Sequence, residues 1–172
     1  MSFESSIPQL LVAASMTLLA ALPAGAEERG AVTLMVDGKE MQLPLNASQS
    51  DWSGSESYAS VSISARPADD PTGEQIKSLS LGFDFANGTA SLPELYLLRA
   101  GEGDALVRLF GNEEDGKLTV QVSRSVVEGP FLAIEGSFSG AVGPSEDYGR
   151  TVDLSDPADV SGSFNVVLGP VE

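Results

Sequence analysis

Almost every group in this chain that could do chemistry is a carboxylate. Asp69/Asp70, Glu113/Glu114/Asp115 and Glu146/Asp147 are adjacent acids, and two carboxyls roughly 5–10 Å apart can serve as acid and base on a glycosidic bond. Histidine and cysteine are absent, which excludes Ser-His-Asp and Cys-His nucleophile sites, imidazole and thiolate metal sites, and histidine's proton switch near neutral pH. The three lysines, Lys39, Lys77 and Lys117, have no serine three residues before them, so no Ser-x-x-Lys dyad exists. A sugar-cleaving cleft also needs aromatic walls. After Ala26 the chain offers Trp52, Tyr58, Tyr96, Tyr148 and six phenylalanines, most of them on faces that read as core. The acid pairs sit in polar stretches where carboxylates are simply solvated. The expectation is a protein that is not an enzyme.

Acids can also bind hard cations, which take six to eight oxygens. Asp153-x-x-Asp156-x-x-Asp159 makes Asp153, Asp156 and Asp159 the candidate calcium ligands. Asp69-Asp70-x-x-x-Glu74 is a second acidic cluster. Neither matches the D-x-[DN]-x-[DN]-G calcium loop, so charged, solvated loops are the simpler reading. No other cofactor is expected.

Aromatic side chains on polar loops often mark contact sites. Trp52 and Tyr58 flank the Ser/Gly-rich stretch Ser53–Ser57, and Tyr148 lies in Gly143–Arg150 (GPSEDYGR). Trp52, Tyr58 and Tyr148 are therefore the candidate partner-binding residues. The alternative for Trp52 is a ring closing one end of the core, and its exposure separates the two.

The elements that must position these groups read as strands. Leu79, Leu81, Phe83 and Phe85 alternate with Ser78, Ser80, Gly82 and Asp84; Val61 and Ile63 alternate with serines; Leu118, Val120 and Val122 alternate with polar residues. One packed and one wetted face is the mark of antiparallel sheet. Asp37-Gly38, Asn87-Gly88 and Asp115-Gly116 are turn signals, because these pairs tolerate the positive φ of tight hairpins. Strands are expected at 31–36, 39–45, 58–66, 76–86, 89–99, 105–110, 117–127, 131–142 and 159–168, with a short one at 150–154. Asn46–Glu56, Pro67–Gln75 and Gly143–Arg150 read as loops. The fold expected is all-β: an antiparallel two-sheet β-sandwich of nine or ten strands, with an up-and-down β-barrel as the alternative. Glu135-Gly136-Ser137-Phe138-Ser139 is echoed by Ser161-Gly162-Ser163-Phe164-Asn165. If those strands pair antiparallel, each Phe ring can cover the other strand's Gly.

The N-terminus reads as an export leader. Leu10–Leu22 is apolar and uncharged, Pro23 breaks it, and Ala24-Gly25-Ala26 precedes Glu27-Glu28, the small-x-small pattern of a signal helix cleaved after Ala26. Its first nine residues carry Glu4 and no Lys or Arg, which is atypical. An uncleaved anchor is the competing reading, but 13 apolar residues fall short of the roughly 20 a span requires. Residues 27–172 then form one domain. Without Glu4, 24 of the 25 acidic residues face 9 basic ones, a net charge of −15. Such a field disfavours nucleic acid and, after cleavage, membrane surfaces as partners.

The function expected is an exported binding or interaction module of the periplasm or cell exterior, with a protein or glycan partner. The alternatives are an assembly subunit of a surface layer or pilus-like polymer and a barrel holding a small apolar ligand.

Overall fold

The computed structural model describes residues 29–55, 57–68, 75–103 and 105–171. The expected leader helix and cleavage point after Ala26 fall outside these residues, as does the cluster Asp69, Asp70 and Glu74. The described chain is all-β. Its ten strands are β1 (Gly30–Val36), β2 (Lys39–Pro44), β3 (Asp51–Ser55), β4 (Tyr58–Ala65), β5 (Ile76–Ala86), β6 (Thr89–Ala100), β7 (Leu106–Asn112), β8 (Thr119–Glu128), β9 (Phe131–Pro144) and β10 (Ala158–Pro170). One 3-10 turn, Ala47–Gln49, precedes β3. Among the described residues no helix is long and apolar enough to cross a membrane.

Hydrogen bonding joins the ten strands into one mixed sheet. One antiparallel stretch runs β2-β1-β10-β9-β8. A second runs β3-β4-β5-β6-β7. Two short seams link them: β10 with β3, parallel, through Gly169–Asp51 and Pro170–Trp52, and β7 with β9, antiparallel, through Leu109–Pro144 and Phe110–Gly143. The pairings thus close a circuit, β10–β3–β4–β5–β6–β7–β9. The parallel seam departs from the purely antiparallel expectation. It arises because the chain enters β3 beside the end of β10, where Trp52 O accepts from Val171 N at 3.1 Å.

Alternation builds the core. The inward residues of β1, β4, β5, β6, β9 and β10 form one contiguous apolar cluster. Phe83 of β5 and Phe164 of β10 meet in it with ring centroids 5.8 Å apart. Asp37-Gly38 and Asn87-Gly88 make the expected two-residue turns, all four residues having positive φ. Of the residues whose alternation assigned them to the core, Val122 is only partly buried. It lies where edge strand β8 is interrupted by a bulge between Val122 and Arg124.

Three segments differ from the sequence expectation. Asp51–Ser55 is a strand, not part of a loop. Only Trp52 of its five residues is buried, so no period-two pattern marked it. Residues 150–154 form no strand: Asp153 turns the chain there, its carboxylate accepting from Ser155 N at 2.9 Å. Asp115-Gly116 does not close a hairpin, because β7 and β8 are not paired. It belongs to a crossover in which Asn112 Oδ1 accepts from Glu114 N at 2.8 Å and Asp115 N at 2.6 Å.

The echoed strands behave as expected. Phe138 lies opposite Gly162, and Phe164 opposite Gly136. A Cβ on Gly162 would fall 2.5 Å from the Phe138 ring, and one on Gly136 would fall 2.5 Å from the Phe164 ring. Thr33 O and Gln121 O crowd the same two positions. Each ring therefore covers backbone that a glycine leaves bare. Phe138→Ala or Phe164→Ala should cost about 3–5 kcal/mol in chemical denaturation. Gly136→Ala or Gly162→Ala should cost about 1–3 kcal/mol, through overpacking.

A second bulge sits on β6, where Leu92 and Pro93 oppose Phe83 alone. Leu92 has φ 51° and is 68% exposed. A left-handed bulge position is normally glycine, and a side chain there costs roughly 1–2 kcal/mol. Leu92→Gly should leave stability unchanged or raise it by up to about 1 kcal/mol, the relief being offset by glycine's chain entropy. Leu95→Gly, in the core three residues on, should lose about 3–5 kcal/mol in the same measurement.

Candidate functional site

The polar members of the echoed strands share the opposite face of the sheet. There the strand register lines side chains up in rows. Gln42, Thr33, Ser163, Ser137 and Gln121 form one row across β2-β1-β10-β9-β8. Glu40, Met35, Ser161, Ser139 and Thr119 form the next. Towards the other end, Asn165 lies beside Glu135, and Glu135 beside Arg124. Rows on one face are about 7 Å apart along a strand, and neighbours within a row about 4.8 Å apart. In the first two rows the central strands carry small hydroxyl residues except at Met35, and the longer Gln42, Glu40 and Gln121 rise from the edge strands. The result is a trough along β10 and β9. Two contiguous hollows occupy it, of about 420 and 1000 Å³, sharing Thr33 and Ser163 in their walls.

The floor groups are available. Thr33, Ser137, Ser161, Ser163 and Asn165 make no side-chain hydrogen bond to another protein group among the described residues. At the flank, Thr119 Oγ1 lies 3.3 Å from Ser139 Oγ. The central hydroxyls carry no charge, although Arg29 and Glu135 line the larger hollow and Glu40 the smaller. Glu40 stands on the rim, and Glu135 is paired with Arg124 at 3.0 Å. In a chain of net charge −16, this is a neutral strip of hydroxyl and amide groups, able to hydrogen-bond a polar partner as donor or acceptor.

None of the aromatic or acidic residues singled out from the sequence lines this trough. Trp52 is 6% exposed, and its Nε1–H donates to Pro130 O at 3.0 Å. The ring ties the start of β3 to the β8–β9 turn and is not presented to solvent. Tyr58 is 48% exposed, and its hydroxyl donates to Asp84 Oδ2 at 3.0 Å. That bond and the neighbouring negative charge push its phenol above the usual tyrosine value. Tyr148 is 80% exposed, with Arg108 6.0 Å from its ring centroid. The next residue, Gly149, packs on Phe110, whose ring lies 4.9 Å from that of Tyr96. The structure does not bring Trp52, Tyr58 and Tyr148 together.

Asp153 and Asp156 line a hollow of about 410 Å³ with Asp37 and Arg99, while Asp159 does not line it. Among the described residues no three acidic side chains are placed to share a metal ion. The Asp153 carboxyl is held below its ordinary range by the Ser155 hydroxyl and then the Ser155 N–H. Of the adjacent acids Glu146 and Asp147, Asp147 is committed to its own loop. Its Oδ1 accepts from Thr151 N, and its Oδ2 from Thr151 Oγ1, each at 2.9 Å. Ser145 Oγ donates to Oδ1 at 2.9 Å and accepts from Gly149 N at 2.8 Å.

Sequence reasoning missed the trough residues. The echo that paired Phe with Gly also carried them, since Ser137, Ser139, Ser161, Ser163 and Asn165 are its intervening letters. The signal was present, but only the strand register shows that these hydroxyls fall side by side.

The Asp147 loop has a definite pH response. Its carboxyl is held below the ordinary range, chiefly by the Thr151 N–H, so its contribution is present above the unfolded value and is lost as pH falls through the lower folded one. The protection of the Thr151 N–H, taken relative to its intrinsic exchange rate, should hold at pH 5 and fall below about pH 4. In Asp147→Asn the lower protection should already be present at pH 5.

No protein-family model, curated protein or solved structure matches this chain.

Proposed function

We propose that this chain is an exported, non-enzymatic binding module whose contact surface is the hydroxyl-lined trough on β2-β1-β10-β9-β8. The observation that carries the reading is the uncharged, unengaged set of floor groups in a strongly acidic protein. Export to the periplasm or cell exterior rests on the leader pattern ahead of Glu27. The absence of histidine and cysteine from the sequence supports a role without nucleophilic catalysis.

We further propose that the sheet is folded into two layers as a β-sandwich, β2-β1-β10-β9-β8 facing β3-β4-β5-β6-β7. The seams of two residue pairs each and the Phe83–Phe164 contact support that arrangement over a barrel with an open interior. The free edges favour binding over polymer assembly. Edge strand β2 carries Lys39, Glu40 and a terminal Pro44, and β8 is bulged beside Arg124. Charge, proline and bulges all discourage strand addition.

Hydroxyl-radical footprinting against isolated cell-envelope material tests the proposal. Met35, 38% exposed beside the trough floor, and Tyr148, 80% exposed on the far loop, are the two reporters. Met35 should be protected on binding and Tyr148 should not. Protection of Tyr148 with Met35 unchanged would move the contact surface to the Ser145–Thr151 loop and overturn the assignment.

A further inference from the structure

We infer that the trough seats an extended polypeptide segment of a partner protein, with an aliphatic side chain in the larger hollow and a neighbouring carboxylate on Arg29; this rests on the trough being the contact surface. The apolar part of the lining lies together at one end. Val167, Ala133 and Val126 line up across β10-β9-β8, and Val167 is 37% exposed. Pro44 lies beside Ala31 on β2 and β1, and Leu45 follows it in the wall of the hollow of about 1000 Å³. An aliphatic side chain set among Pro44, Leu45 and Val167 is desolvated by them, as interface anchors are. A sugar has no such group to offer. The ring at that end, Phe131, is also no open platform for a sugar, because the Arg29 guanidinium lies over it, 5.1 Å from its centroid.

Arg29 supplies the charge that the partner must match. Its guanidinium is placed between the Phe131 ring and Gly169, where an added Cβ would fall 3.3 Å from its Nη1. Its backbone is tied as well, since Arg29 O accepts from Val167 N at 2.7 Å. Among the described residues Arg29 makes no ion pair, whereas Glu135 is already held by Arg124. A guanidinium stacked on a ring keeps its N–H edge free for a carboxylate. The net charge of −16 repels a run of acids, so the match is one carboxylate among uncharged residues.

The remaining groups suit a peptide backbone. The amides of Gln42 and Asn165 and the hydroxyls of Thr33 and Ser163 line the same hollow. Each can donate and accept, which peptide N–H and C=O groups use and an acyl chain leaves idle. β1, β10 and β9 are paired on both sides, so side chains, not strand addition, hold the segment. The three rows cover about 14 Å of strand, the length of roughly four extended residues.

The test screens the chain from Glu27 onward against a random decapeptide library displayed on phage. The selected peptides should share Leu, Ile, Val or Met close in sequence to a single Asp or Glu. The strongest binder, synthesised with blocked ends, is then titrated by calorimetry and mapped by backbone NMR. Shifts should centre on residues 29–33, 131–135 and 163–167. Val167→Asp, which puts a charge where the aliphatic group sits, should weaken binding about tenfold or more. Arg29→Gln should weaken it about fivefold. Replacing the peptide's acid by its amide leaves the protein untouched and should cost the same, about fivefold, on the wild-type chain but less than about twofold on Arg29→Gln. Tyr148→Ala should leave affinity unchanged. Full affinity of the amide peptide for the wild-type chain would overturn the pairing with Arg29 and the inference with it. A screen that selects nothing above background, or peptides without the aliphatic–acid combination, would overturn the polypeptide assignment and leave the binding face to the footprinting experiment. Shifts centred on Tyr148 would overturn both.

Discussion

The fold depends on one ladder, the antiparallel pairing of β9 with β10. It runs eleven consecutive residue pairs, from Ala158–Val142 to Leu168–Leu132, and both strands reach across to the other half of the sheet at their ends. Two of its pairs are Phe against Gly in opposite sense. A bare glycine weakens a strand interior, and here each is covered by a ring from the partner strand. The arrangement fixes register more firmly than aliphatic pairs would, because the space beside Gly136 and Gly162 admits no other side chain. A slip of one residue would turn Phe138 and Phe164 to solvent and drive serines into the core. The same slip would abolish the hydroxyl rows, so the core and the binding face are two readings of one register.

Much of this architecture was legible in the sequence, for a physical reason. Period-two alternation survives wherever one face is packed and the other wet, so β4, β5 and the start of β8 announced themselves. Asn-Gly and Asp-Gly marked two hairpins because few other pairs accept positive φ at both positions. What failed was what alternation does not encode. β3 buries a single residue and reads as a loop, which leaves Trp52 between a surface contact and a ring closing one end of the core; it is buried and holds a seam. Asp115-Gly116 has turn chemistry but joins strands that are not neighbours, and local chemistry carries no information about pairing partners. The candidate site was less legible still. Aromatic and acidic residues drew attention because their chemistry is conspicuous, whereas the trough is built from serine and threonine, whose meaning lies in where the register puts them.

The acidity of the chain also takes on a shape. Carboxylates gather in the loops and on the rims: Asp37, Asp153 and Asp156 round one hollow, and Glu146 and Asp147 in the Tyr148 loop. Exposed acids keep the molecule soluble and self-repelling, and the guarded edges of β2 and β8 act in the same direction. Against that background the neutral central rows stand out.

The floor hydroxyls sit on the central strands, and this bears on how binding would work. β1, β10 and β9 are each hydrogen-bonded along both sides, and their inward faces are locked into the core, so the floor is in place before any ligand arrives. Serine and threonine have few rotamers to lose. Association there would require little ordering of the protein, and ordering is a principal term opposing affinity. The Tyr148 loop differs: it depends on the Asp147 hydrogen bonds, lies at the surface, and presents its ring on a backbone at φ 59°. A weak, hydroxyl-mediated interaction is sustainable only on a preformed surface, because each hydrogen bond exchanged with water returns only about 0.5–1.5 kcal/mol. The rigid trough meets that condition through the β9–β10 register that also holds the core.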